Sequence, residues 1–119
     1  MTNILHITSR AAWEQAQRDG AYRAPSLDQV GYIHFSQPEQ VLTVANSFYR
    51  GQADLVLLVV DTSRLAAELR YEPPDEAPDS SQRFPHLYGA LNLEAVRSVV
   101  DFPPDSGGGW SALPPGIGG

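Results

Sequence analysis

Cysteine and lysine are both absent from this chain of 119 residues. Without cysteine there is no disulfide framework, no thiolate nucleophile and no cysteine-held zinc or iron–sulfur site. Without lysine there is no Schiff-base chemistry and no Walker-type lysine to grip a phosphate; all 8 basic residues are arginines. Long apolar runs are missing too, since the longest, 55 to 60, is far too short to cross a bilayer. Positive charge is scarce: 8 basic residues stand against 14 acidic ones, for a net charge of -6. A protein that tracks a nucleic acid draws affinity from neutralising phosphates, so no nucleic-acid partner is expected, nor a membrane, and a small-molecule ligand is. The segment Met1 to His6 has neither the basic flank nor the apolar stretch of a secretory signal, which makes the cytoplasm the expected location. The oligomeric state is not legible.

What is present reads as a folded domain. Hydrophobic residues make up 42% and charged residues 18%, too apolar for disorder, and the length suits one core. The expected organisation is a single α+β domain over 1–114 and a loose tail over 115–119. Ile4 to Thr8 alternates as a strand, with Leu5 and Ile7 on one face and His6 and Thr8 on the other. Ser9 is placed to cap a helix over 10 to 19 that stops at Gly20. A loop from Ala21 to Val30 leads to a second alternating run, Gly31 to Ser36, in which Ile33 and Phe35 face the core and Tyr32, His34 and Ser36 face away.

Ser36 and Glu39 have capping-box spacing, with Pro38 in the first turn, and this predicts the longest helix over 37 to 49, stopping at Gly51. Leu55 to Val60 is continuously apolar between aspartates, as a central strand buried on both faces would be. A helical turn to Ala67, a strand over 69 to 72, the polar proline-rich loop 73 to 83, a strand-like motif Phe84 to Gly89, a turn capped by Asn92 and a strand over 97 to 102 follow. Gly108 to Leu113 reads as a weak edge strand.

Histidine is the residue type best suited to proton transfer near neutral pH, and there are 3. His6 and His34 occupy equivalent places in two strands, so pairing of those strands would project both imidazoles from one face, and His86 follows the acidic loop. The expectation is that His6, His34 and His86 line one cleft, with Tyr32, Ser36 and Tyr88 at its walls and the 73 to 83 loop at its mouth. Each histidine also has a plain structural reading as a satisfied strand residue. Glu72 is the best carboxylate, although it shares a strand face with Arg70 and could simply pair with it. Asp75, Glu76 and Asp79 are further acid candidates, most simply read as solubilising loop residues, and Trp13, Phe48 and Tyr49 read as core.

Taken together, Ile4 to Thr8, Tyr22 to Leu27, Gly31 to Ser36, Gly51 to Leu58 and Phe84 to Gly89 resemble, in the same order, a family of short bacterial proteins known as domain of unknown function 952. The resemblance spans residues 3 to about 114. It implies no established activity. It does imply a fold related to the ADP-ribosyltransferases, a split, mixed or antiparallel sheet with two main helices and a cleft that binds NAD without a metal. In that superfamily a first-strand histidine or arginine touches a ribose, a second-strand aromatic or histidine frames the nicotinamide, and a late-strand acid orients the reacting ribose. His6 and His34 match the first two positions. The late acid is unmatched, because His86 and Tyr88 stand there and Glu72 lies on the preceding strand. The resemblance therefore implies NAD or a related nucleotide as ligand, with His6, His34, His86 and Glu72 as catalytic candidates for ADP-ribosyl transfer or glycohydrolase-type chemistry. Thr8, Tyr32, Ser36 and Tyr88 are the candidate binding residues. The alternative is a non-catalytic binding module on the same fold. A three-histidine zinc site is a third reading, but strand-borne histidines at these spacings need luck to converge on one ion, so no metal is expected.

Overall fold

The computed structural model describes residues 2–117. Among them, every strand pairing is antiparallel, and three α-helices accompany the strands. Strand β1 (Asn3–Ser9) pairs with β4 (Leu55–Asp61), and β4 pairs with β8 (Val96–Asp101). A second sheet joins β3 (Ile33–His34), β6 (Phe84–Tyr88) and β5 (Glu68–Glu72). The short strands β2 (Ala21–Tyr22) and β7 (Leu91–Asn92) make a separate pair. The α+β class is therefore as expected, and of the mixed or antiparallel alternatives the antiparallel one holds among the described residues; three helices are present where two main ones were expected.

The two larger sheets meet at one point. Beyond β3 the chain leaves β6 and forms a bridge to β1: the Leu5 N–H donates to the Ser36 carbonyl and the Ser36 N–H to the Leu5 carbonyl, both at 2.8 Å. The strands thus run in the spatial order β8, β4, β1, β3, β6, β5, narrowed to a single bridge in the middle.

As its unbroken apolar run requires, β4 is buried along its whole length. On one face, Val56, Leu58 and Val60 join Ile4, Ile33, Phe35 and Leu87 beneath helix α1 (Arg10–Asp19), which contributes Ala12, Trp13 and Ala16. On the other, Leu55, Leu57 and Val59 meet Leu5, Ile7, Phe102 and Trp110, with Val41 and Ala45 of helix α3 (Val41–Phe48). The Ser9 side chain accepts from the Ala12 N–H at 3.0 Å, and Gly20 ends α1 at φ 88 with its N–H on the Ala16 carbonyl. Both caps are those the sequence signals. With 10 residues α1 is the longest helix.

The expected 37 to 49 helix is shorter. Ser36 is held extended in the bridge to Leu5, so its side chain forms no capping box; instead Gln37 to Gln40 make a turn in which the Gln40 side chain accepts from the Gln37 N–H at 2.9 Å, and α3 starts at Val41 with 8 residues. Helix α2 (Pro25–Val30) occupies what the sequence suggested was loop, with Pro25 in its first turn and Gly31 closing it at φ 91. No strand forms over 108 to 113. The Asn46 side chain substitutes for one, donating to the Trp110 carbonyl at 2.8 Å and accepting from its N–H at 2.9 Å, while Trp110 stacks on Phe102. Of the tail expected over 115–119, Ile117 packs against the core beside α3, and residues 118 and 119 lie outside the described residues.

Leu57→Ala should destabilise the domain by about 2–5 kcal/mol, because Leu57 is fully buried between β1 and β8, whereas Ser9→Ala should cost only about 1 kcal/mol through loss of the α1 cap. Urea unfolding of the two variants checks both the values and their order.

Candidate functional site

Residues facing each other across antiparallel strands share a face, and alternate residues return to it. In the second sheet His34 faces His86, which faces Arg70. Hence Tyr32, His34, Phe84, His86, Tyr88 and Glu72 all project to one side, while Ile33, Phe35, Leu87 and Leu69 project to the core. Alternation within β3 and β6 sorts their residues between the two sides, and the register between the strands brings the polar and aromatic sets together.

His86 is its centre. Its ring is almost wholly buried, stacked on Tyr32 at 4.1 Å between centroids, and its Nδ1–H donates to Glu72 Oε1 at 2.8 Å. The Tyr88 hydroxyl donates to the same oxygen at 2.6 Å, with the Arg70 guanidinium 4.4 Å above the Tyr88 ring. Hydrogen bonds from Tyr88 and then His86 hold the Glu72 carboxyl below the usual carboxylate range, and Glu72 in turn raises the Tyr88 phenol. With Nδ1 committed, Nε2 is the nitrogen His86 has available to a ligand.

Asp75 closes the other side. Pro73 and Pro74 end β5 and carry the chain back over the sheet, so that Asp75 accepts from the Tyr32 hydroxyl at one oxygen and lies 3.0 Å from His34 Nε2 at the other. The Tyr32 hydrogen bond is the main cause of a lowered Asp75 pKa, while burial, and then Asp75, push the Tyr32 phenol up. By sequence Asp75 is one of several loop acid candidates whose simplest reading is solubilising, with nothing to set it apart from Glu76 and Asp79. The signal that could have found it is the Pro-Pro stop, which fixes where the next residues emerge.

Beside His86 and His34 opens a cleft of about 720 Å³ between α3, β6 and the 73–83 segment. Phe35, Val44, Phe48, Tyr49 and Phe84 supply its apolar wall, and Asp75, Glu76, Ser36, Thr43 and Gln82 its polar groups. Phe48, expected in the core, is 63% exposed at this cleft. Ser36 lines the cleft as expected, whereas Tyr32, Tyr88 and Glu72 stand behind His86 and hold it.

His6 is elsewhere, which corrects the expectation of one three-histidine cleft. Because the bridge pairs Leu5 with Ser36, Leu5 shares the face of Ser36 and His34, and His6 falls on the opposite face with Phe35, its ring centroid 5.3 Å away. One residue of register reverses the side. There His6 Nδ1–H donates to the His34 backbone carbonyl at 2.5 Å, and Nε2 lies 2.8 Å from the Tyr22 hydroxyl, which is 3.0 Å from Thr8 Oγ1. Since a carbonyl only accepts, the proton sits on Nδ1 and Nε2 accepts from Tyr22. Burial pushes the His6 pKa down to about 4. Thr8, also a binding candidate by sequence, is buried here beside a smaller cavity of about 250 Å³ that His6 and His34 line as well.

A family model described as protein of unknown function, DUF952, matches residues 7–99. The chain belongs to this family. A crystal structure of protein CC0527 from Caulobacter crescentus is 37% identical, with a TM-score of 0.80 over 91% of this chain and 92% of that one. The solution structure of the same Caulobacter protein, also 37% identical, superposes with a TM-score of 0.75 over 92% of this chain and 91% of that one. No curated protein matches. Among the described residues of this DUF952 chain, no helix is long and apolar enough to cross a membrane.

Between pH 6.5 and about 4 the folded His6 stays neutral while the unfolded chain takes up a proton, so the stability that His6 contributes is complete above 6.5 and is lost as pH falls through this window. The expected slope is about 1.4 kcal/mol per pH unit. Urea midpoints at pH 7 and pH 5 should differ clearly in the wild type and much less in His6→Gln.

Proposed function

We propose that this domain binds a small organic molecule carrying a flat ring and hydroxyl or amide groups, of the nucleoside kind found in NAD, with His86 Nε2 as the principal hydrogen-bonding atom. The observation that carries the reading is the pairing of a buried imidazole, oriented by Glu72 and Tyr88, with an aromatic-walled cleft. A cleft of this size, mostly apolar with a few convergent polar groups, suits a drug-sized ligand. Phe48, Tyr49 and Phe84 offer surfaces for a planar ring, and Ser36, Thr43 and Gln82 offer partners for hydroxyls.

The charge of the lining selects among nucleotides. Asp75 and Glu76 line the cleft and no arginine does, so the wall chemistry favours the nucleoside portion over the pyrophosphate. Kinship with the ADP-ribosyltransferase fold belongs to this proposal, and the narrowing of the sheet between β1 and β3 beside the cleft supports it.

Binding without turnover is the second reading, and Glu72 favours it. An acid that orients a reacting ribose needs a free carboxylate in the cleft, but Glu72 Oε1 already accepts from both His86 and Tyr88 behind the site. ADP-ribosyl transfer or glycohydrolysis would therefore fall to His34, His86 and Asp75.

Thermal-shift measurements with NAD, ADP-ribose, adenosine and nicotinamide riboside test the proposal. A nucleoside present at about 100 times its Kd should raise stability by about 2.7 kcal/mol. His86→Ala should abolish the shift, whereas Arg18→Ala on the outer face of α1 should leave it intact. No stabilisation by any of the four compounds would reject the nucleoside assignment, and release of nicotinamide from NAD would decide for the catalytic form over simple binding.

A further inference from the structure

Three side chains with metal-binding donors converge from three separate elements at the inner end of the cleft: His34 from β3, His86 from β6 and Asp75 from the segment after β5. One donor atom of each lies within 4.8 Å of the other two. His34 Nε2 and Asp75 Oδ2 are already 3.0 Å apart. Donors about 2.1 Å from a tetrahedral ion are about 3.4 Å from one another, so only the separation from His86 has to contract. Movement is available where it is needed. The His34 and Asp75 side chains are 48% and 45% exposed, whereas His86 is at 2%, so the adjustment would fall to the two outer side chains.

A second, independent observation concerns orientation. Metal-bound histidines commonly donate their other ring N–H to a carboxylate, which fixes the tautomer and makes the ligating nitrogen more basic. His86 has this arrangement: Nδ1–H donates to Glu72, Tyr88 steadies the same oxygen, and Nε2 is left for a ligand. Tyr32 links two of the donors, stacking on His86 while its hydroxyl holds Asp75.

We propose that His34, Asp75 and His86 form a binding site for a divalent transition-metal ion of the zinc class, with its remaining coordination position open to the cleft. Two imidazoles and a carboxylate suit zinc and its first-row neighbours, while calcium and magnesium call for shells made largely of oxygen. Asp75 and Glu76 supply negative charge, and no arginine lines the cleft to compete for the position. The sequence argued against a metal because three strand-borne histidines had to meet. The fold instead replaces His6 with Asp75, which no strand register constrains. This site does not depend on the nucleoside reading, although a bound metal would occupy His86 Nε2 and meet the organic ligand through its open position.

Isothermal titration of tag-free protein with zinc chloride alone, together with elemental analysis after dialysis, tests the proposal. One zinc per chain is expected, with no heat from magnesium chloride at the same concentration. Asp75→Asn and His34→Ala change half-exposed side chains, so both should remain folded by circular dichroism, and each should weaken zinc binding about tenfold or more. Absence of stoichiometric zinc in the wild type, or binding that both variants retain at wild-type strength, overturns the site. Since no nucleoside is present, either result is independent of the thermal-shift outcome.

Discussion

The bridge between Leu5 and Ser36 is the constraint on which the arrangement of the site depends. Two backbone hydrogen bonds join β1 to the chain just beyond β3, and a third bond, from the His6 imidazole to the His34 carbonyl, serves where the ladder does not continue. An imidazole there does the work of a backbone N–H. The His34 carbonyl thereby gains a partner that the ladder does not supply, and His6 is held in place beneath the narrowed sheet. The same bridge sets the parity of everything around it, sending His6 to the α1 side and His34 to the cleft side.

On the cleft side the governing physics is electrostatic. Glu72 and Asp75 are both held below the usual carboxylate range, chiefly by phenol donors, Tyr88 for the first and Tyr32 for the second. Both therefore remain ionised at neutral pH, next to two imidazoles. Carboxylates stabilised by neutral hydroxyls instead of arginines keep their negative potential, and that favours a cation or a neutral hydrogen-bonding ligand over an anion. The proposed nucleoside preference and the proposed metal site both draw on this one charge arrangement.

Helix α3 connects the core to the cleft. Val41 and Ala45 are buried against the first sheet, with Leu42 and Val44 packed around them, whereas Thr43, Val44, Ser47 and Phe48 line the cleft. Its position is secured on the side away from the cleft by Asn46, which grips the backbone at Trp110, so the C-terminal segment with its Phe102–Trp110 stack supports the cleft wall indirectly. Phe48 is exposed because it sits past the edge of the core, at the cleft rim.

Local sequence determined what local physics controls. The Ser9 and Gly20 caps of α1, the fully buried strand after Asp54, the alternation of β5 and the turn-rich segment after Pro73 were all readable, since capping, periodicity and proline geometry act within a few residues. The tertiary structure alone decided three things. It stopped α3 short by drawing Ser36 into a bridge with a residue 31 positions earlier in the chain. It placed His6 opposite His34, because a one-residue offset between strands leaves no mark in the alternation of either. It brought Asp75 to His34 and Tyr32 across more than 40 positions of chain. Periodicity within a strand says which residues share a face, but the register between strands is a long-range choice made by the whole core, and that choice determined which histidines could act together.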